Sequence, residues 1–212
     1  MIVAATAVNM LGGRHIVVAT VPLTNPLNSH YSTSDQPRIA LTASTSPARR
    51  ARDNRSQRRT RKKNLDIVIR SRNAELDEQH LELYRAYLAS RHADGEMSAG
   101  TITDMQRFLI SDWCETILIE GWLGERLVLS AVTDVVDNAL SALYTYYDPE
   151  LPDRSLGTLG ILEQIEACKS LGFRYLYLGY WIESCRKMRY KSSFQALETR
   201  DPEGNWSLLR KH

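Results

Sequence analysis

At 212 residues, 43% hydrophobic and 25% charged, the chain suits one globular domain plus an extra segment, and two full domains would be a tight fit. A net charge of only +2 excludes a uniformly basic nucleic-acid binder and leaves the placement of charge as the question. Three widely spaced cysteines, Cys114, Cys168 and Cys185, exclude a disulfide framework and a zinc knuckle, so a reducing cytoplasm and no metal are expected, while the short apolar patch at 16–23 makes neither a signal peptide nor a membrane span.

Residues 1–48 mix small and polar residues without a sustained period, which predicts little packed structure. Residues 49–63, RRARDNRSQRRTRKK, gather about a third of the basic residues around a single acid, Asp53. They read as a basic linker to residue 64, either a solvated tail or a phosphate-binding strip. A strand is expected at 65–70, where Ile67 and Ile69 share a face. Asp77 then caps a helix carrying Leu81, Tyr84 and Leu88 at three- and four-residue spacing, ending near Gly95. A shorter helix fits 102–110.

Three β-type runs follow at 116–120, 126–136 and 140–147, broken by Gly-Trp-Leu-Gly at 121–124 and by Asp137-Asn138, and they read as an antiparallel meander. Beyond Asp148-Pro149, RSLGTLG leads into a helix with Ile161, Leu162, Ile165 and Cys168 on one face, stopped before Gly172. A buried strand at 175–178 comes next. The order predicts an α+β domain over 65–200, an antiparallel or mixed sheet flanked by helices, followed by a tail at 201–212. It resembles the Gcn5-related acyltransferase fold in element order.

Four collinear stretches carry a more specific resemblance: SQRRTRKKNLDI at 56–67, YRAYLASRHADGEM at 84–97, the segment from TDVVDNALSALYTYYDPELPDRSLGTLG onward at 133–166, and YLYLGYWIESCRKMRYKSSFQALE at 175–198. Together they resemble the C-terminal domain of the arginyl-tRNA:protein transferase family, in its bacterial aspartate/glutamate leucyltransferase branch. The family's N-terminal domain carries paired cysteines ahead of the basic segment, and residues 1–50 contain none. An altered or wrongly assigned start, with only the second domain intact, is therefore expected.

The resemblance implies transfer of leucine, or less readily arginine, from charged tRNA to an N-terminal Asp or Glu in an N-degron pathway. The partners would be an aminoacyl-tRNA and proteins with acidic N-termini, with no cofactor. Aminolysis of an ester needs the acceptor amine neutral, and the candidate proton acceptors are Asp134, Asp148, His92 and Glu183. A lone His closing a helix, or a carboxylate at a strand end or turn, equally fits capping. Developing oxyanion charge needs donors, with Tyr180, Tyr144 and the backbone near Gly179 and Gly157 as candidates.

Arg186, Lys187 and Lys191 are the cations for an acidic acceptor, unless they form only a solvated basic face. Arg154 and Gly157 resemble the turn with which acyltransferases hold a pyrophosphate. Leu159 stands where a small residue is usual, which fits a cleft remodelled for a tRNA 3′ end better than one for coenzyme A. Tyr144, Tyr146 and Tyr147 could stack the terminal adenosine, with alternation allowing exposure of at most one face. Two other readings stay open from sequence: a non-catalytic RNA-binding remnant, and a coenzyme A-dependent small-molecule acyltransferase. Nothing in the sequence fixes an oligomeric state.

Overall fold

The computed structural model describes residues 53–91, 100–110, 113–182, 184–200 and 205–209, together with three strands further upstream. These are β1 (Thr6–Met10), β2 (Ile16–Thr20) and β3 (Arg38–Thr42). The meander comprises β4 (Val68–Asn73), β5 (Thr116–Leu123), β6 (Arg126–Val136) and β7 (Ala139–Tyr147). It is followed by β8 (Tyr175–Tyr180), β9 (Leu197–Arg200) and β10 (Trp206–Leu208). The helices are α1 (Arg55–Lys63), α2 (Glu78–Arg91), α3 (Ile102–Leu109) and α4 (Leu156–Ser170).

The main sheet has the order β10-β9-β3-β8-β7-β6-β5-β4, and β1 pairs with β2 in a separate ribbon. From β4 to β7 every neighbour is antiparallel, as the three β-type runs predict for β5 to β7, while β8 lies parallel to β7 after the α4 crossover. Tight turns make the meander possible: Gly124 has φ +62° between β5 and β6, and Asp137 has φ +48° between β6 and β7, a conformation Gly, Asp and Asn tolerate best.

The long helices cover opposite faces of the sheet. Ile161, Leu162, Ile165 and Cys168 of α4 pack on Ile117, Ala131, Leu140 and Leu176, the face read from their spacing. On the other side Leu81, Tyr84 and Leu88 of α2, with Met105 and Leu109 of α3, pack on Leu118, Trp122, Val132 and Tyr146. Burying each such leucine contributes about 1.5–3 kcal/mol. Asp77 Oδ1 accepts from the His80 amide at 3.2 Å and caps α2 as expected. Among the described residues no helix is long and apolar enough to cross a membrane.

Three features depart from the chain-order reading. Residues 1–48, expected to carry little packed structure, supply β1, β2 and β3, and β3 inserts between β8 and β9. The expected tail supplies β10, paired with β9. Of these, β3 pairs with strands more than 130 residues away, which a local period does not encode, while β1–β2 and β9–β10 are pairs between neighbouring segments.

The third departure is that the basic linker contains α1. Asn54 and Gln57 form a reciprocal capping box at its start, which satisfies two orphan backbone donors. Arg61 then docks the helix on α4: Nε lies 2.6 Å from Asp53 Oδ2, while NH1 and NH2 reach Glu163 at 2.7 Å and Glu166 at 3.2 Å. Arg61→Ala is expected to cost about 1–3 kcal/mol through these charge-assisted bonds. Amide exchange should quicken across 55–63 and stay unchanged in β5–β7; uniform exchange in both would show that Arg61 does not hold the helix.

Candidate functional site

The sheet is split where β7 meets β8. Only Ala139, Leu140 and Ser141 pair with Tyr175, Leu176 and Tyr177, although β7 continues to Tyr147 and β8 to Tyr180. Past this apex the strands part and form a wedge. A bulge lies in each arm: Leu143 is passed over in the β6–β7 register, and Leu178 in the pairing of β8 with β3. Gly179 follows with φ +77°, which a side-chain-bearing residue would adopt only with strain.

Lys191 stands on the β8 arm. The chain after β8 folds into a 3₁₀ helix, Arg186–Ser193, and from it the Lys191 ammonium donates to the carbonyls of Leu178 and Tyr180, both at 2.7 Å. These bonds bracket Gly179. Loss of solvent lowers the Lys191 pKa to about 8, against a smaller opposing effect of Cys185, because a desolvated ammonium gives up its proton more readily. Lys191, expected as a cation for the acceptor, is thus turned inward. Arg186 and Lys187, on the same 3₁₀ helix, are exposed, and Tyr180 is buried.

The other arm is aromatic. Tyr144 packs edge-on against Tyr84, Tyr87 and Phe108, with ring centroids 6.0, 6.3 and 6.0 Å away. Tyr147 lies 5.0 Å from Tyr87. Tyr190, on the 3₁₀ helix, keeps 47% of its surface exposed, while loss of solvent around its phenol raises the pKa to about 12, with the phenols of Tyr87 and Tyr147 adding to the rise, so its hydroxyl end faces this cluster. Tyr146, also expected as part of a stacking platform, is fully buried and contacts His80 and Tyr84 in the core.

Asp134 sits at the apex in a transverse row formed by cross-strand pairing, Thr116 to Asp134 to Ser141 to Tyr177. It is 1% exposed and accepts from Thr116 Oγ1 at 2.7 Å. Burial pushes its carboxyl up despite hydrogen bonds with Thr116 and Cys114. Its Oδ2 and the neighbouring Ser141 Oγ are buried without a hydrogen-bond partner among the described residues.

The remaining expected site residues lie apart from this apex. Asp148 pairs with Arg126 and accepts from the Glu150 amide at 2.9 Å, which fixes the turn after β7. Arg154 forms a two-pronged bond with Asp66 at 2.7 and 2.9 Å and so joins the segment after α1 to the start of α4. A Cβ at Gly157 would lie 3.0 Å from Tyr147 Cε1, so the missing side chain lets that ring pack on the helix start. His92 and Glu183 lie outside the described residues. A hollow of about 220 Å³ between α1, β4 and α4, lined by Arg61, Leu65, Ile67, Leu159 and Glu163, contains none of the wedge residues.

Sequence reasoning missed a buried polar network beneath α2. Glu120 is 1% exposed and accepts from Arg72 Nε at 2.6 Å and Trp122 Nε1 at 2.9 Å. His80, fully buried, lies 2.7 Å from Asp77 Oδ1 and 3.1 Å from Glu120 Oε1. The signal was available as a lone acid in the otherwise apolar strand ILIEGW and a His three residues after a capping Asp.

A mixed sheet split beside a parallel strand, with helices on both faces, defines the class through its structural likenesses. The crystal structure of FemX superposes with a TM-score of 0.55 at 8% identity, covering 84% of this chain and 63% of that one. The C-terminal domain of a putative lysylphosphatidylglycerol synthetase from Agrobacterium fabrum gives 0.55 at 8%, covering 81% and 58%. At such identities the likeness is one of fold.

The particular family follows from sequence. The model described as arginine-tRNA-protein transferase, C terminus, matches residues 79–201, and the chain belongs to this family. Relatives named aspartate/glutamate leucyltransferase include one from Alkalilimnicola ehrlichii, 45% identical over 72% of this chain and 64% of that protein. One from Hahella chejuensis is 41% identical over 68% and 62%, and one from Nitrosococcus oceani 41% over 83% and 76%. The chain thus spans less than two thirds of the length of the first two.

Proposed function

We propose that this chain transfers an amino acid, leucine before arginine, from charged tRNA to the α-amine of a protein beginning with Asp or Glu, in a cytoplasmic N-degron pathway. The observation that carries the proposal is its identity of 41–45% to proteins named aspartate/glutamate leucyltransferase. On this reading the fold is a Gcn5-related variant and the wedge is the place of transfer.

The acceptor nitrogen attacks the aminoacyl carbonyl, a C–N bond forms, the ester C–O bond breaks, and the ribose oxygen leaves with a proton. Lys191 suits the relay of that proton. A neutral amine has two N–H groups, matching its two carbonyl partners, and a remaining lone pair to take the acceptor's proton. Asp134 is a second acid–base candidate at the apex. In this scheme Tyr144, Tyr147 and Tyr190 flank the terminal adenosine. The amide near Gly179 is a donor for the oxyanion. Arg186 and Lys187 offer charge to the acidic acceptor residue.

The test supplies labelled Leu-tRNA or Arg-tRNA together with peptides beginning Asp, Glu, Lys or Ala. Label on the Asp and Glu peptides alone is expected. Label on Lys or Ala peptides to the same extent, or none from either donor, contradicts the proposal.

A further inference from the structure

Of the six cations in α1, only Arg61 meets carboxylates among the described residues, those of Asp53, Glu163 and Glu166. Arg58 and Lys63 reach backbone carbonyls, of Asp53 at 2.6 Å and Asp153 at 2.9 Å, and so keep their net charge. Arg55, Arg59 and Lys62 are exposed, with no partner among the described residues. Five like charges on adjacent turns repel one another, and nothing apolar repays the arrangement, because the buried face of α1 consists of Gln57 and Thr60, followed by Asn64. Polar bonds hold the helix in place instead: Asn64 Nδ2 donates to the Arg154 carbonyl at 2.9 Å, and Asn54 Nδ2 to the Ser193 carbonyl at 2.9 Å.

We propose that the outward face of α1 is a docking surface for the phosphate backbone of RNA, and that it carries the arm of the donor while the esterified end lies in the wedge. The proposal rests on the aminoacyl-tRNA reading above. Charge complementarity selects a polyanion. The charges are strung along an axis of about 10 Å from Arg55 to Lys62, as a repeating backbone requires, rather than gathered around one point as for a single acidic group. The Asn54–Ser193 bond joins the start of α1 to the 3₁₀ helix that carries Tyr190 and Lys191, so a strand lying on α1 leads to the wedge.

The experiment uses the full chain with Arg55→Glu, Arg59→Glu and Lys62→Glu combined, and a charge-keeping control, Arg55→Lys with Arg59→Lys. The slope of log Kd against log salt for Leu-tRNA is expected to shrink by about 2–3 in the reversal variant. Its KM for Leu-tRNA should rise at least about tenfold at constant kcat, with the control close to wild type. Transfer from a short 3′-leucyl oligonucleotide, too small to reach α1, should be unchanged.

An unaltered salt slope, or an equal loss with the short donor, overturns the proposal. So does loss of binding to phosphatidylglycerol vesicles with tRNA affinity intact, which would make the surface one for membranes. Binding is read by anisotropy without turnover, so failure of wild-type transfer would sink the functional reading while the salt slope still decides this one.

Discussion

Lys191→Met is expected to reduce kcat for transfer by about 10²–10⁴-fold, the span typical of a lost proton-transfer group. Methionine has nearly the length of lysine and no N–H, so it leaves the carbonyls of Leu178 and Tyr180, now bonded at 2.7 Å, without their donor. Lys191→Arg separates the two duties of the residue. Guanidinium restores donation to the carbonyls but does not lose a proton in the working range, so it should recover thermal stability and not turnover. The wild-type kcat should rise with pH through about 8, where the depressed pKa of Lys191 lies, and this limb should be absent in Lys191→Arg. Full activity in the arginine variant would reduce Lys191 to a brace for the strand.

The second large effect concerns stability. Glu120→Ala removes a carboxylate that Arg72, Trp122 and His80 all meet, and leaves the buried Trp122 indole N–H and His80 Nε2 without it beneath α2, while Arg72, 35% exposed, keeps Asp77. Leaving a buried polar group unsatisfied costs about 1–3 kcal/mol, and two such groups make a large part of a domain's net stability. Burial pushes the Glu120 carboxyl up, but the hydrogen bonds from His80, Arg72 and Trp122 more than cancel this and hold it below the ordinary 4.5. Asp77 is likewise below its ordinary 3.8, burial being outweighed by His80 and Arg72.

A depressed folded pKa means that the unfolded chain takes up the proton first as pH falls. The stabilisation is therefore complete above about 4.5 and drains away in more acid solution. Chemical denaturation at pH 7 and pH 4 should show the gap between wild type and Glu120→Ala narrowing at the lower pH. An equal gap at both would mean that the charge of Glu120 is not what stabilises the fold.

Much of the fold was legible because its signals are local. β-type runs with turn residues between them placed β5, β6 and β7, three- and four-residue spacing placed α2 and α4, and Asp137-Asn138 marked a turn that does adopt positive φ. The box Asn54 to Gln57 was equally local, and it would have turned the basic linker into α1 had charge not dominated the reading. What stayed hidden depends on chain reversals. Arg154 has an anion-binding sequence context, yet its partner Asp66 lies 88 residues away. Lys191 looks like a surface cation until the 3₁₀ helix folds it back on β8. Tyr144 and Tyr146 share a face by alternation, and only the packing of α2 shows that Tyr146 is core.

The central claim is that the wedge between β7 and β8 receives the charged end of the donor. It is tested most directly by photo-crosslinking a tRNA whose terminal adenine carries an azide and whose leucine is attached through a stable amide, followed by peptide mapping. Label is expected on Tyr144, Tyr147 or Tyr190. Label concentrated instead at the hollow beside Leu65 and Leu159, with those tyrosines unmodified, would contradict the account.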